Sequence, residues 1–176
     1  MKNITLLIAA MLFMFLSGFA EEVTITDSDL AAGNTYNWTN DNVYVLDGFV
    51  YLEDGGVLNI EPGTVIKGKE TPTSGDNASA LIICQGAKIF ANGSPEQPVI
   101  FTAYDDDVAD PTDLDETDRG LWGGLIILGY GEIGFSSETS YVEGIPEGEE
   151  RAKFGGTDNT DNSGELRYVS IRHGGA

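Results

Sequence analysis

The sequence contains very little cysteine. Cys84 is the single cysteine among 176 residues, so the chain cannot form an internal disulfide. It ends the apolar run Ala80–Cys84, and we therefore expect a buried, inert thiol rather than a nucleophile or an intermolecular bridge. Without a disulfide, the stability of the fold has to come from packing or from bound ions.

Positive charge is also scarce. Nine Lys and Arg residues stand against 29 Asp and Glu, which gives a net charge of −20 at pH 7. The electrostatic field of so negative a chain repels nucleic acid and anionic membranes and attracts cations. We therefore expect no nucleic-acid partner. The acidity indicates either a surface suited to a salty extracellular medium or a site for divalent cations.

Several catalytic motifs are missing as well. The sequence has no phosphate-binding loop, no CxxC pair, no HExxH zinc motif and no G-x-S-x-G elbow. The only histidine, His173, stands beside Gly174, and we expect it to be a turn residue rather than a base or a ligand. Beyond residue 20 there is no amphipathic helical pattern either.

The N-terminus reads as a cleavable signal peptide over residues 1–20. Lys2 provides a positive charge, Ile4–Leu16 is apolar except for Thr5, and Ser17–Ala20 places small residues before a cut after Ala20. The apolar run is about 13 residues, short of the roughly 20 that span a bilayer. We therefore expect no membrane insertion after cleavage, and the absence of a nearby cysteine excludes lipid anchoring at this site.

Short β-rich blocks fill the rest of the chain, separated by Gly, Asn, Asp and Pro. Blocks of three to five residues are short for a β-sandwich, the alternative fold, and are typical of a solenoid with several short strands in each coil. The predicted strands are residues 43–46, 49–52, 57–60, 64–66, 81–83, 88–91, 99–102, 125–128 and 166–171.

Several segments between residues 43 and 176 carry a family resemblance, among them Gly56–Gly68, Gly86–Gly93, Arg119–Gly129 around Trp122, and Leu166–Gly175. With them the sequence resembles exported bacterial β-helix proteins of the pectin-lyase-like kind. The resemblance implies an all-β, right-handed parallel β-helix that is secreted or lies on the outer cell surface of a Gram-negative bacterium. Longer members of the family often carry a C-terminal sorting domain. No agreed catalytic set comes with it, so the catalytic residues are unknown.

The expected organisation follows from this fold. Residues 21–42 are predicted to be an N-terminal cap or lead-in, and residues 43–176 to be β-helix coils with an acidic loop inserted at residues 105–118. A solenoid needs a cap over its last coil, and none is visible before Ala176. We therefore expect the β-helix to be truncated at its C-terminus.

The acidic loop is the candidate metal site. Closely spaced carboxylates repel one another unless a cation offsets them, and Ca²⁺ takes six to eight oxygen ligands. The loop is not an EF-hand, because Asp118 stands where the glycine is required if Asp113 is the first ligand. The alternative is a solvated, flexible loop, and residues 158–162 form a second, weaker oxygen-rich turn. The candidate ligands are Asp105, Asp106, Asp107, Asp110, Asp113, Asp115, Glu116 and Asp118.

The favoured function is a non-catalytic surface β-helix used in adhesion or in binding extracellular polysaccharide or cell-surface glycans. The alternative is a polysaccharide lyase or glycoside hydrolase whose active site lies in missing coils. Trp38, between Asn37 and Thr39, is predicted to be exposed and able to stack on a sugar, whereas Trp122 is expected in the core. Arg167 and Arg172 are placed on one strand and its turn, facing opposite sides. Calcium is the only expected cofactor.

Overall fold

The computed structural model describes residues 20–134 and 136–176. The predicted signal peptide therefore lies outside the described residues except for Ala20. In the described part of the chain, none of the helices has the length and hydrophobicity of a membrane-spanning segment. The strands are β1 (Glu21–Ile25), β2 (Thr35–Trp38), β3 (Asn42–Leu46), β4 (Phe49–Leu52), β5 (Val57–Ile60), β6 (Val65–Gly68), β7 (Ala80–Ile83), β8 (Lys88–Asn92), β9 (Val99–Ala103), β10 (Gly124–Ile127), β11 (Ser140–Tyr141), β12 (Lys153–Phe154), β13 (Gly164–Arg167) and β14 (Val169–Ile171).

Three sheets run along the molecule. Sheet A has the order β1-β3-β6-β9-β14, sheet B the order β13-β8-β5-β2, and sheet C the order β10-β7-β4. Every strand pairing within these sheets is parallel. From β4 onward the chain visits sheets C, B and A in turn, so that each coil lies on the previous one. The prediction of an all-β parallel β-helix is confirmed.

The first coil begins at β1. Strand β1 pairs with β3 and β2 pairs with β5, both in parallel. A short 3₁₀ helix at Asp27–Asp29 lies between them, next to β4 of sheet C. Residues 21–42, predicted as a cap or lead-in, thus take part in the sheets, and the coils start before residue 43.

The predicted strand at residues 166–171 is wrong as a single element. Tyr168 has a φ of +47° and separates β13 in sheet B from β14 in sheet A. A coil has to turn sharply between two sheets, and a left-handed residue provides that turn. Arg167 therefore ends β13 in sheet B, whereas Arg172 follows β14 of sheet A, so the two do not lie on two faces of one strand.

Inward-facing side chains stack in columns through the coils. One column of sheet A aligns Val23, Tyr44, Ile66, Phe101 and Ile171. Columns of this kind form one continuous apolar cluster. Because burial of each large aliphatic side chain is worth about 1.5–3 kcal/mol, these columns hold the coils together without a disulfide.

Trp122 fills a gap in the core that two small residues leave. A second inward column of sheet A runs Ile25, Leu46, Gly68, Ala103, and the indole of Trp122 packs against Gly68. Trp122 is fully buried, and its Nε1 donates to the carbonyl of Arg172 at 2.7 Å. The prediction that Trp122 belongs to the core is confirmed.

A second apolar cluster lies on the outer face of sheet C. It contains Tyr51, Ile82 and Cys84, and partly buried residues of the β10–β13 connection, including Ile145 and Phe154, pack against it. Cys84 is buried, and this burial raises the pKa of its thiol to about 12. The thiol therefore stays protonated at neutral pH, as expected for an inert core cysteine.

Replacing Gly68 by alanine tests the packing of Trp122. A Cβ at this position would lie 2.7 Å from Cε3 of the indole. We expect Gly68→Ala to lower the free energy of unfolding by about 1–3 kcal/mol, as overpacking does in rigid cores. Denaturant unfolding measures this change. Gly134→Ala is the control, because nothing lies within 4 Å of its Cβ position; equal effects of the two changes would contradict the packing argument.

Candidate functional site

A wide cleft lies beside sheet A. It lies between the acidic loop, residues 105–118, and the segment 172–174 that follows β14, and its volume is about 810 Å³. We call it the acidic cleft. It is lined by Asp106, Asp110, Pro111, Asp113, Leu114, Asp115, Glu116, Thr117, Asp118, Arg119, Arg172, His173 and Gly174.

Sheet A positions the residues that hold the start of the acidic loop. Lys67 and Thr102 are register partners on β6 and β9, and they alternate with the inward residues Ile66 and Phe101. Arg172 continues the same line, because its N–H donates to the carbonyl of Phe101. The strand periodicity thus directs Lys67, Thr102 and Arg172 outward, beneath the start of the acidic loop.

Asp106 ties the acidic loop to this line of residues. Its carboxylate is buried, accepts a hydrogen bond from Thr102 Oγ1 and lies 3.6 Å from Nη1 of Arg172. Arg172 Nε also donates to Ser170 Oγ at 3.0 Å. The guanidinium therefore partly balances a buried charge, which a buried carboxylate requires.

Most of the other acidic side chains stabilise turns of their own loop. Asp110 accepts from the N–H and hydroxyl of Thr112, and Asp115 does the same for Thr117. These hydrogen bonds lower the pKa of Asp110 and of Asp115. The Asp118 carboxylate accepts from the N–H of Asp115. The loop is therefore an ordered chain of aspartate turns rather than an irregular tail.

The candidate calcium ligands do not converge in this arrangement. Among the residues that the structure describes, no three His, Cys, Asp or Glu side chains lie together so as to hold a metal ion. Asp105 and Glu116 point into solvent at the loop surface, while Asp107 and Asp113 are used in local hydrogen bonds. The described side chains do not fit Ca²⁺ as placed, so a site here would require the loop to rearrange.

Calcium binding by the loop stays a prediction with a direct test. A structural ion would raise the melting temperature, because a ligand that binds only the folded state stabilises it. The measurement compares Tm in excess Ca²⁺ with Tm in EGTA, using Mg²⁺ as the control cation. Identical melting temperatures in the two buffers would remove calcium from the description of this loop.

In the second oxygen-rich turn, residues 158–162, the side chains accept hydrogen bonds from backbone N–H groups. Tyr130 N–H donates to Asp161 Oδ2 and Glu132 N–H donates to Asn159 Oδ1, both at 2.8 Å. Thr160 N–H and hydroxyl donate to Asp158, which lowers the pKa of Asp158. This turn thus fixes the start of the β10–β13 connection.

His173 fastens the end of the acidic loop. Its φ is +56°, its carbonyl accepts from the N–H of Leu121, and its Nδ1 lies 2.6 Å from the carbonyl oxygen of Asp118. The prediction that His173 is a turn residue agrees with this geometry.

The predicted exposure of Trp38 is wrong. Trp38 is only 4% exposed, and its ring stacks on Tyr44 with the two centroids 4.5 Å apart. The alternation of residues in β2 indicates this burial, because Asn37 faces outward while its neighbours Tyr36 and Trp38 face the core. In this arrangement the indole of Trp38 is not accessible to a sugar in solvent.

The structure exposes tyrosines rather than Trp38. Tyr104 follows β9 at the start of the acidic loop and is 40% exposed. Its carbonyl accepts from Lys67 Nζ at 3.2 Å, which holds the residue over the outer face of sheet A. No local pattern distinguishes Tyr104 from the other tyrosines, because its exposure depends on how the loop leaves the sheet.

Arg151 is the residue that sequence reasoning missed most clearly. Its guanidinium donates to Glu149 at 2.9 and 2.8 Å, to Asp27 at 3.0 Å and to Glu53 at 3.1 Å. It also lies 4.0 Å from the ring centroid of Tyr51. Its hydrogen bonds lower the pKa of Glu149. One cation thereby joins the connection over sheet C to the first coils.

Removal of Arg151 tests this connection. We expect Arg151→Ala to reduce the free energy of unfolding by about 2 kcal/mol, because hydrogen bonds to charged groups and a cation–π contact are lost together. Arg167→Ala is the control, since Arg167 is more exposed and makes a single 3.5 Å ion pair with Glu165, worth about 0–1 kcal/mol. Equal destabilisation in urea unfolding would contradict the role of Arg151.

The family follows from a match over most of the chain. A family model described as "Pectate-lyase like beta helix domain" matches residues 31–176, which includes the acidic cleft and all but the first strand of the three sheets. No curated protein and no solved structure matches the sequence. The coils, the register and the family match agree, and the chain belongs to the pectate-lyase-like β-helix domain family.

Proposed function

We propose that this chain is a non-catalytic glycan-binding β-helix domain of an exported protein, with the acidic cleft as its binding surface. The observation that supports the proposal is the lining of the cleft. It combines carboxylates of the acidic loop, the guanidinium groups of Arg119 and Arg172, and apolar surface from Pro111 and Leu114. Sugars present hydroxyl groups that both donate and accept, and apolar ring faces, so this mixture suits them.

The charge of the chain favours a neutral glycan. The net charge is −20, and Asp110 and Asp115 have lowered pKa values, so they remain ionised well below neutral pH. A polyuronate would meet this field as a like charge. Hydroxyl groups of a neutral polysaccharide can instead donate to the same carboxylates in charge-assisted hydrogen bonds.

The charges and contacts in the cleft also support a binding role over catalysis. A glycoside hydrolase needs a carboxylic acid with a raised pKa, whereas the pKa shifts at Asp110 and Asp115 are downward. Among the basic groups of the cleft, Arg172 is engaged with Asp106 and Ser170, so it does not serve as the free proton acceptor that a lyase needs. The family resemblance keeps lyase or hydrolase activity as the alternative.

Export is part of the same proposal. The predicted cut after Ala20 would leave Glu21, the first residue of β1, as the new N-terminus. Cleavage would therefore remove no part of a described strand. Secretion or display on the outer surface of a Gram-negative cell would bring the acidic cleft to extracellular or cell-surface glycans.

Affinity electrophoresis tests glycan binding. We expect the protein to be retarded by neutral glucans or xylans more than by polygalacturonate. The double change Glu116→Gln and Arg119→Gln, at exposed residues of the cleft, should weaken binding about tenfold, or about 1.4 kcal/mol. The matched control is Glu165→Gln with Arg167→Gln, an exposed pair on β13. Loss of binding in both double variants, or in neither, would count against the cleft.

The same polysaccharides distinguish binding from catalysis. Release of unsaturated products, followed by their ultraviolet absorbance, would establish a lyase, and release of reducing ends would establish a hydrolase. Either result would overturn the non-catalytic proposal. Retention of a glycan without either product would support it.

A further inference from the structure

A second pocket lies at the corner between sheets C and B. One wall is formed by the turns that follow β4 and β7, at residues 53–54 and 84–85, and the other by residues 150–153 of the β10–β13 connection. We call it the corner pocket. Its volume is about 290 Å³, close to the lower end of the range of about 300–1,000 Å³ for small-molecule sites. It shares no lining residue with the acidic cleft.

A glycine makes room for two polar groups at the wall of the corner pocket. Gly86 has a φ of +81°, a conformation that favours glycine. A Cβ on this residue would overlap the carboxylate of Asp54 and would lie 3.6 Å from the hydroxyl of Tyr130. Because residue 86 has no side chain, the Asp54 carboxylate and the Tyr130 hydroxyl can both lie over this turn.

Gln85 supplies an oriented hydrogen-bond acceptor. Its Nε2 donates to the carbonyl of Gly129 at 2.9 Å and to the carbonyl of Gly155 at 2.8 Å, so both amide hydrogens are used. Its Oε1 accepts no hydrogen bond from the described residues, among which no buried side-chain oxygen lacks a partner. Oε1 is therefore accessible, and the two bonds of Nε2 fix its position.

The corner pocket also contains one free charge of each sign. Among the described residues, neither the carboxylate of Asp54 nor the ammonium group of Lys153 takes part in an ion pair. The neighbouring charges are already engaged, since Arg151 binds three carboxylates and Glu150 accepts from the hydroxyl of Tyr141. Asp54 belongs to the coil wall and Lys153 to the opposite wall.

We propose that the corner pocket binds a free α-amino acid as its zwitterion. The α-ammonium group donates to the Asp54 carboxylate and to Oε1 of Gln85, and the α-carboxylate accepts from Nζ of Lys153. These are charge-assisted hydrogen bonds, the stronger kind in proteins. The buried Cys84 and the methyl group of Ala32 also line the pocket, and they suit an aliphatic side chain because a protonated thiol behaves as a small apolar group.

Ligands of other charge types fit the corner pocket less well. A neutral sugar would pair with neither Asp54 nor Lys153. A simple anion would pair with Lys153 but would meet the carboxylates of Asp54 and Glu150 as like charges. A zwitterion satisfies both free charges at once, and this complementarity carries the inference.

Isothermal titration calorimetry with L-leucine tests the proposal on the unmodified chain. The matched ligands are L-leucinamide, which lacks the carboxylate, and 4-methylpentanoate, which lacks the ammonium group. We expect L-leucine to bind and to raise Tm, and each analogue to bind at least tenfold more weakly, since each loses one charge-assisted contact. Absence of L-leucine binding, or equal affinity for the three compounds, would overturn the proposal.

Substitutions at the two free charges locate the site. Asp54→Ser and Lys153→Met should each weaken L-leucine binding at least tenfold, while the ligand-free Tm changes little because neither side chain takes part in an ion pair. The matched controls are Asp41→Ser and Lys88→Met, at exposed residues outside the pocket, and they should bind as the unmodified chain does. Unchanged affinity in the pocket variants, or equal loss in the controls, would contradict this site. None of these results bears on glycan binding at the acidic cleft.

Discussion

The in-register stacking of parallel coils is the interaction on which this structure depends. Each inward position has to be apolar in coil after coil, because a polar side chain there would be buried without a partner. The column from Val23 to Ile171 meets this condition in sheet A. Where a column carries only small residues, at Gly68 and Ala103, Trp122 fills the remaining space. A chain with one cysteine thus obtains its stability from repetition rather than from cross-links.

The same repetition leaves the outside of the coils free to vary. Two long connections interrupt the regular order of strands: one between β9 of sheet A and β10 of sheet C, and one between β10 and β13 of sheet B. These insertions cover the outer faces of the sheets. The acidic loop lies over sheet A and forms the acidic cleft. The β10–β13 connection lies over sheet C and buries Tyr51 and Cys84. Function is expected in such insertions, because the inward residues of the coils have to stay apolar to pack against the neighbouring coils.

The few cations act at the places where insertions meet the coils. Arg151 joins the cover of sheet C to Asp27 and Glu53, and Arg172 meets the buried Asp106 under the acidic loop. Lys69 lies 2.7 Å from the buried Asp47. Burial of the Asp47 carboxyl raises its pKa, but hydrogen bonds from Lys69 and Thr73 outweigh this and the pKa is lowered. In a chain of net charge −20, each of these contacts balances local negative charge.

The sequence alone determined strands β3 to β10 and the kind of fold. Short apolar blocks between turn residues located β3 to β10 to within two residues, since strand formation depends on local alternation and turn chemistry. The solvent exposure of Trp38, the break at Tyr168 and the role of Arg151 were decided by the tertiary structure. Trp38 is buried because β2 lies in a coil on β5, the chain breaks at Tyr168 because two sheets meet there, and Arg151 has partners far away in the sequence. The acidic residues at 105–118 were recognised from their spacing, but only the folded loop shows that their carboxylates serve turns and the Arg172 contact, because hydrogen bonding is a property of positions in space.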